Sequence, residues 1–123
     1  MNTKQILVID DEDDIRKLIQ TCLEIMGGWQ VLTATSGSQG LLLAQSSQPD
    51  AILLDVMMPD MDGLKTFQKL QANQITKDIP VILLTARGRN TDQNLFAQLG
   101  VRGIINKPFN PQKLANQVAA ALR

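Results

Sequence analysis

Asp55 closes the apolar run Ala51-Ile52-Leu53-Leu54, at the point where a buried strand should emerge into solvent. Three other apolar runs end in the same way: Ile6-Leu7-Val8-Ile9 in Asp10-Asp11, Val81-Ile82-Leu83-Leu84 in Thr85, and Ile104-Ile105 in Asn106-Lys107. Four strand ends therefore deliver three carboxylates, one hydroxyl and one ammonium. Carboxylate oxygens are the ligands that hard divalent cations prefer, and the hydroxyl and ammonium add hydrogen-bond donors beside them. Five of the twelve acids fall in Asp10-Asp11-Glu12-Asp13-Asp14. A solvated helix start complementing the helix dipole would account for that density, and so would a cation site.

These residues need a scaffold, and strand-like and helix-like segments alternate along the chain. After the first strand, Ile15, Leu18, Ile19, Cys22, Leu23 and Met26 recur at helical spacing, and Gly27-Gly28 should stop the helix. Trp29 to Thr35 alternates as a strand does. Ser36 or Ser38 can cap a helix through Leu41, Leu42 and Ala44, and Pro49-Asp50 introduces the strand 51–54. Gly63 precedes a helix with Leu64, Phe67 and Leu70 on one stripe, and Pro80 opens the strand 81–84. Leu95, Phe96 and Leu99 mark a fourth helix stopped by Gly100, and Leu114, Val118 and Leu122 a fifth after Pro111. Five strands alternating with five helices predict one α/β domain, a parallel sheet with helices on both faces. Doubly wound sheets of this kind bind ligands at the carboxyl ends of their strands, the edge to which all five polar residues are assigned.

Composition removes several functions. Twelve Lys and Arg balance twelve Asp and Glu in 123 residues, so no global field draws this chain to nucleic acid or to an anionic membrane. No segment reaches the roughly 18 apolar residues that span a bilayer, and the N-terminal residues lack a signal core. A single cysteine, Cys22, cannot form an internal disulfide and fits a reducing compartment, so the cytoplasm is expected. The absence of histidine excludes Ser-His triads, histidine-ligated metals and a phosphohistidine on this chain.

Asp10-Asp11, Asp55 with Met58-Pro59-x-Met61-Asp62-Gly63, Thr85-Ala86 and Lys107-Pro108-Phe109, each at a strand end and in this order, resemble the signature of the receiver domain of two-component response regulators, the fold family of the chemotaxis regulator. The resemblance spans residues 4 to 123. It implies a (βα)5 fold with strand order 2-1-3-4-5, a single receiver domain over 1–123 with no output domain, and a phospho-accepting switch. The donor would be a phosphohistidine on a sensor histidine kinase or phosphotransfer protein, and the output altered binding of an unidentified target.

A carboxylate that accepts a phosphoryl group needs its own charge and that of the incoming oxygens offset. Asp10, Asp11 and Asp55 supply hard ligands for Mg²⁺, with the backbone carbonyl of Met57 added as in the family. Asp55 would be the nucleophile and form an acyl phosphate. Lys107 could reach one phosphoryl oxygen, and Thr85, beside Ala86, could donate to another. Met57 and Arg87, two residues after Asp55 and Thr85, would project over the path of attacking water and lengthen the phosphorylated state. Each residue has a plainer alternative: Asp10 as an N-cap, Asp11 to Asp14 as a solvated helix start, Thr85 bonding backbone, Lys107 snorkelling to water. Gly63 reads as a tight turn into a helix, and Pro108 matches a cis position in the family.

Two departures limit the transfer. Many receivers carry an aromatic residue three positions before the lysine, whose rotation accompanies movement of the threonine; here that switch position is Ile104. Val101-Arg102-Gly103 stands where the DNA-binding subgroup usually has acidic residues, which argues against its dimer mode through the fourth helix, fifth strand and fifth helix. A phosphatase with an aspartyl intermediate is disfavoured, because Asp55-Val56-Met57 lacks a second carboxylate two residues on.

Overall fold

The apolar runs read as strands are strands in the computed structural model, which describes residues 4–56, 63–86 and 100–123. In chain order the elements are β1 (Gln5–Ile9), α1 (Asp13–Gly27), β2 (Gln30–Ala34), α2 (Gly37–Ser47), β3 (Ala51–Asp55), α3 (Gly63–Ala72), β4 (Val81–Ala86), β5 (Gly103–Lys107) and α4 (Pro111–Leu122). The last corresponds to the fifth helix of the sequence pattern. The helix expected around Leu95, Phe96 and Leu99 lies outside the described residues, as do Met57 and Arg87.

The five strands pair in parallel in the order β2-β1-β3-β4-β5. A strand with both faces covered has no solvent side, so its sequence runs apolar without alternation. That is the case for Ile6 to Ile9, Ile52 to Leu54 and Ile82 to Leu84, all fully buried. Successive side chains nonetheless serve opposite layers. Ile6, Val8, Leu53, Ile82, Leu84 and Ile105 meet Ile19 and Leu23 of α1 and Leu114 and Val118 of α4. Leu7, Ile9, Ile52, Leu54 and Leu83 meet Ala44 of α2 and Phe67 and Leu70 of α3. Register aligns the carboxyl ends: Ile9 pairs with Leu54, Asp55 with Leu84, and Ala86 with Lys107.

Local chemistry sets the helix boundaries. Gly28, at φ 68°, ends α1 in the left-handed region and donates its N–H to the Leu23 carbonyl. Ser36, rather than Ser38, caps α2: its Oγ accepts the Gln39 N–H at 3.1 Å. Asn110 Oδ1 accepts the Gln112 N–H at 3.0 Å, with Pro111 opening α4.

Three residues assigned to apolar stripes are exposed instead: Leu18, Met26 and Leu42. On α2 the reason is that the buried positions are Gly37, Gly40 and Ala44, flanked by the partly buried Leu41 and Leu43. A Cβ at Gly40 would come 2.3 Å from Ile9 Cδ1, so small residues let the helix lie close and push Leu42 outward. On α1 the buried face is narrow, centred on Ile19, Cys22 and Leu23, and Leu18 falls on its flank.

Candidate functional site

Parallel register and short βα connections bring Asp10, Asp11, Asp55, Thr85 and Lys107 to one edge of the sheet. Asp10 directly follows β1, and its N–H extends the ladder to the Ala34 carbonyl at 3.1 Å. Its carboxylate is fully buried. Oδ1 accepts the Glu12 N–H at 2.9 Å, and Oδ2 lies 3.1 Å from Lys107 Nζ. Glu12, not Asp10, is the N-cap of α1, and Glu12 makes no side-chain cap. Of Asp11 to Asp14, Asp13 and Asp14 form the exposed first turn, which the solvated helix start describes, whereas Asp11 is partly buried.

Asp55 ends β3 with its side chain buried, and Oδ2 is 3.2 Å from Lys107 Nζ. Lys107 thus bridges Asp10 and Asp55 instead of reaching for water, and it lies 3.6 Å from Glu12 Oε1 as well. Burial by itself disfavours the charged ammonium. The attraction of Asp55 and Asp10, with their hydrogen bonds, outweighs it and holds Lys107 above the ordinary lysine pKa. The Lys107–Pro108 peptide is cis, as the resemblance implied. Thr85 is buried at the end of β4, level with Asn106, and Ala86 is level with Lys107. Ile104 pairs with Leu83 and packs partly buried against the layer that includes α2 and α3.

One oxygen from each of Asp10, Asp11 and Asp55 lies within 4.8 Å of the other two. Asp11 Oδ1 is buried and has no hydrogen-bond partner among the described residues. An oxygen withdrawn from water without a donor is costly unless something else satisfies it. Three hard oxygens converging around it fit a divalent cation of the Mg²⁺ type.

Two further residues support the site without any signal in the sequence, and Gly63 supports it in an additional way. Arg16 Nη1 donates to the Asp10 carbonyl at 2.9 Å while pairing with Asp13, which fixes the turn into α1. Glu12 joins Lys107 across the chain, and nothing in an unbroken acidic run distinguishes it from its neighbours. Gly63 opens α3, and the connection before it, where the turn is expected, lies outside the described residues. Its added role is contact: a Cβ there would lie 2.5 Å from both the Asp55 carbonyl oxygen and Val56 Cα, and its N–H donates to the Val56 carbonyl at 2.9 Å. The start of α3 is thereby pressed onto the backbone of Asp55.

A parallel α/β sheet with a half-buried lysine joining two buried carboxylates at its carboxyl edge defines a class, and comparison with known proteins agrees. The chain belongs to the response regulator receiver domain family, whose model matches residues 6–119. It is 39% identical over 123 residues to the probable transcriptional regulator ycf27 of Cyanophora paradoxa, covering 100% of this chain and 50% of that protein. It is 38% identical over 120 residues to the alkaline phosphatase synthesis transcriptional regulatory protein PhoP of Bacillus subtilis, covering 98% and 49%. The chain thus spans about half the length of these relatives, which are named as regulators and not as enzymes. Among solved structures, a putative response regulator from Chloroflexus aurantiacus superposes with a TM-score of 0.90 at 29% identity, covering 98% of each chain. No helix among the described residues is long and apolar enough to cross a membrane.

Proposed function

We propose that residues 1–123 act as one phospho-accepting receiver whose acceptor is Asp55. The observation that carries the reading is the bridge of Lys107 to Asp10 and Asp55, at 3.1 and 3.2 Å, beside the unsatisfied Asp11 oxygen. An Asp55 oxygen attacks phosphorus of a phosphohistidine on a sensor histidine kinase or phosphotransfer protein. The P–N bond breaks with its electron pair passing to the imidazole nitrogen, which takes a proton from solvent, and an acyl phosphate remains. Lys107 exchanges one carboxylate for a phosphoryl oxygen, and Thr85 donates to another. Asp10, Asp11 and Asp55, with the Met57 carbonyl, would hold Mg²⁺, which would supply the positive charge that offsets the transferred group.

Phosphorylation and hydrolysis are self-catalysed events of a switch and not turnover of an external substrate. The switch would run from Thr85 through Ile104 and β5 to the surface formed with α4 and the preceding segment, and there alter partner binding. Met57 and Arg87 would lengthen the phosphorylated state by obstructing water. Balanced charge favours a protein partner over direct contact of this chain with nucleic acid, and a lone cysteine fits a reducing compartment such as the cytoplasm. Amide shifts with and without beryllofluoride test the output face: changes reaching β5 and α4 support it, and changes confined to ligand contacts refute it.

A further inference from the structure

Lys107 is approached by a carboxylate that the acceptor reading does not use. Glu12 Oε1 lies 3.6 Å from Nζ, and whereas Asp10 and Asp55 are buried, the Glu12 side chain is 61% exposed. It therefore stands on the rim of the site, in contact with solvent. The formal charges make the position consequential. Asp10, Asp11 and Asp55 together cancel the Lys107 ammonium and one divalent cation. Arg16 is already matched by Asp13. With such a cation, Asp10, Asp11, Asp55, Lys107 and Glu12 together keep one net negative charge, and Glu12 is the exposed carboxylate of the group. It also borders an open groove of about 360 Å³ lined otherwise by Ile15, Leu18, Lys107, Pro108 and Phe109. The lining of that groove is apolar apart from the Glu12 carboxylate and the Lys107 ammonium.

We propose that Glu12 is a donor-selecting residue, which disfavours small dianionic acyl phosphates relative to N-phosphorylated donors. The inference rests on Asp55 being the acceptor. Both donor classes react in balance. From acetyl phosphate the P–O bond breaks and acetate leaves with its electron pair. From phosphoramidate the P–N bond breaks and the nitrogen, already protonated in the zwitterion, leaves as ammonia. In each case the new bond is from phosphorus to an Asp55 oxygen. Acetyl phosphate arrives at neutral pH with two negative charges and phosphoramidate with one, so repulsion by Glu12 penalises the first more.

The test measures rates of Asp55 phosphorylation by acetyl phosphate and by phosphoramidate, with Mg²⁺, in the wild type, Glu12→Gln and Glu12→Asp. Glu12→Gln should raise the acetyl phosphate rate roughly three- to tenfold and the phosphoramidate rate by less than about threefold. The change in ratio should shrink at 1 M salt, where the screening length falls to about 3 Å. Glu12→Asp, which keeps the charge, should keep the wild-type ratio. In metal-free protein, the Lys107 side-chain resonances should shift in Glu12→Gln, reporting the contact independently of reaction. Labelling of wild-type Asp55 with a donor ratio unchanged in Glu12→Gln, or changed equally in Glu12→Asp, overturns the inference alone. Failure of every donor to label Asp55 in the wild type overturns the acceptor reading and this inference together.

Discussion

Gly63 lies against the backbone of Asp55 so closely that an added Cβ would stand 2.5 Å from the Asp55 carbonyl oxygen. The start of α3 and the end of β3 therefore form one rigid unit, and the carboxylate at the strand end inherits its position from a glycine eight residues on. The same glycine closes the connection by donating to the Val56 carbonyl.

Gly63→Ala should accordingly cost about 1 to 3 kcal/mol, the usual penalty for overpacking, because the opposing atoms are backbone and cannot rotate away. Gly40→Ala should cost less. Its Cβ would meet Ile9 Cδ1 and Cγ1, side-chain atoms that can shift where backbone cannot, and alanine favours the helix. Urea midpoints of the two variants measure the difference, and an equal or larger loss at Gly40 would contradict it.

Asp11 offers the opposite sign. Its buried Oδ1 lacks a hydrogen-bond partner among the described residues, and Asp10 and Asp55 crowd it with like charge. Asp11→Ala should leave metal-free protein as stable as the wild type or more so, by up to about 2 kcal/mol. Millimolar Mg²⁺ should raise the melting temperature of the wild type and leave that of Asp11→Ala unchanged. A metal-free variant clearly less stable than the wild type would refute this account.

Lys107 makes stability depend on alkaline pH. Its pKa in the fold is raised above the ordinary value, so its contribution is fully present below the unfolded pKa of about 10.4 and is lost as pH rises through the folded value. Lys107→Met should lower metal-free stability by about 3 kcal/mol at pH 7, leaving two buried carboxylates without their cation. The deficit should narrow only above about pH 10. A deficit that vanishes at neutral pH would show that the bridge carries no weight.

Cys22 is buried in the layer under α1, and burial pushes its thiol above the ordinary pKa. Native protein should therefore alkylate slowly with iodoacetamide at pH 7.5, and labelling should follow urea unfolding. Rapid labelling without denaturant would mean that α1 opens locally.

Much of the fold was legible because a strand covered on both faces writes itself as an unbroken apolar run, and three such runs, with the shorter Ile104-Ile105 of the edge strand, ended in reactive side chains. Register then aligned those ends without further information. The helices were harder. Leu42 belongs to a leucine-rich segment, yet Gly37, Gly40 and Ala44 hold its buried positions, and a pattern of apolar residues cannot reveal a face defined by small side chains. Glu12 was hidden for a different reason: its partner Lys107 is distant in sequence, and within an acidic run composition does not say which carboxylate turns toward it.

The acceptor itself is tested by incubating the protein with Mg²⁺ and acetyl phosphate and locating the modification by mass spectrometry. The account predicts one acid-stable, alkali-labile phosphoryl group on Asp55, lost in Asp55→Asn and abolished by chelator. An unchanged adduct yield in Asp55→Asn would contradict it.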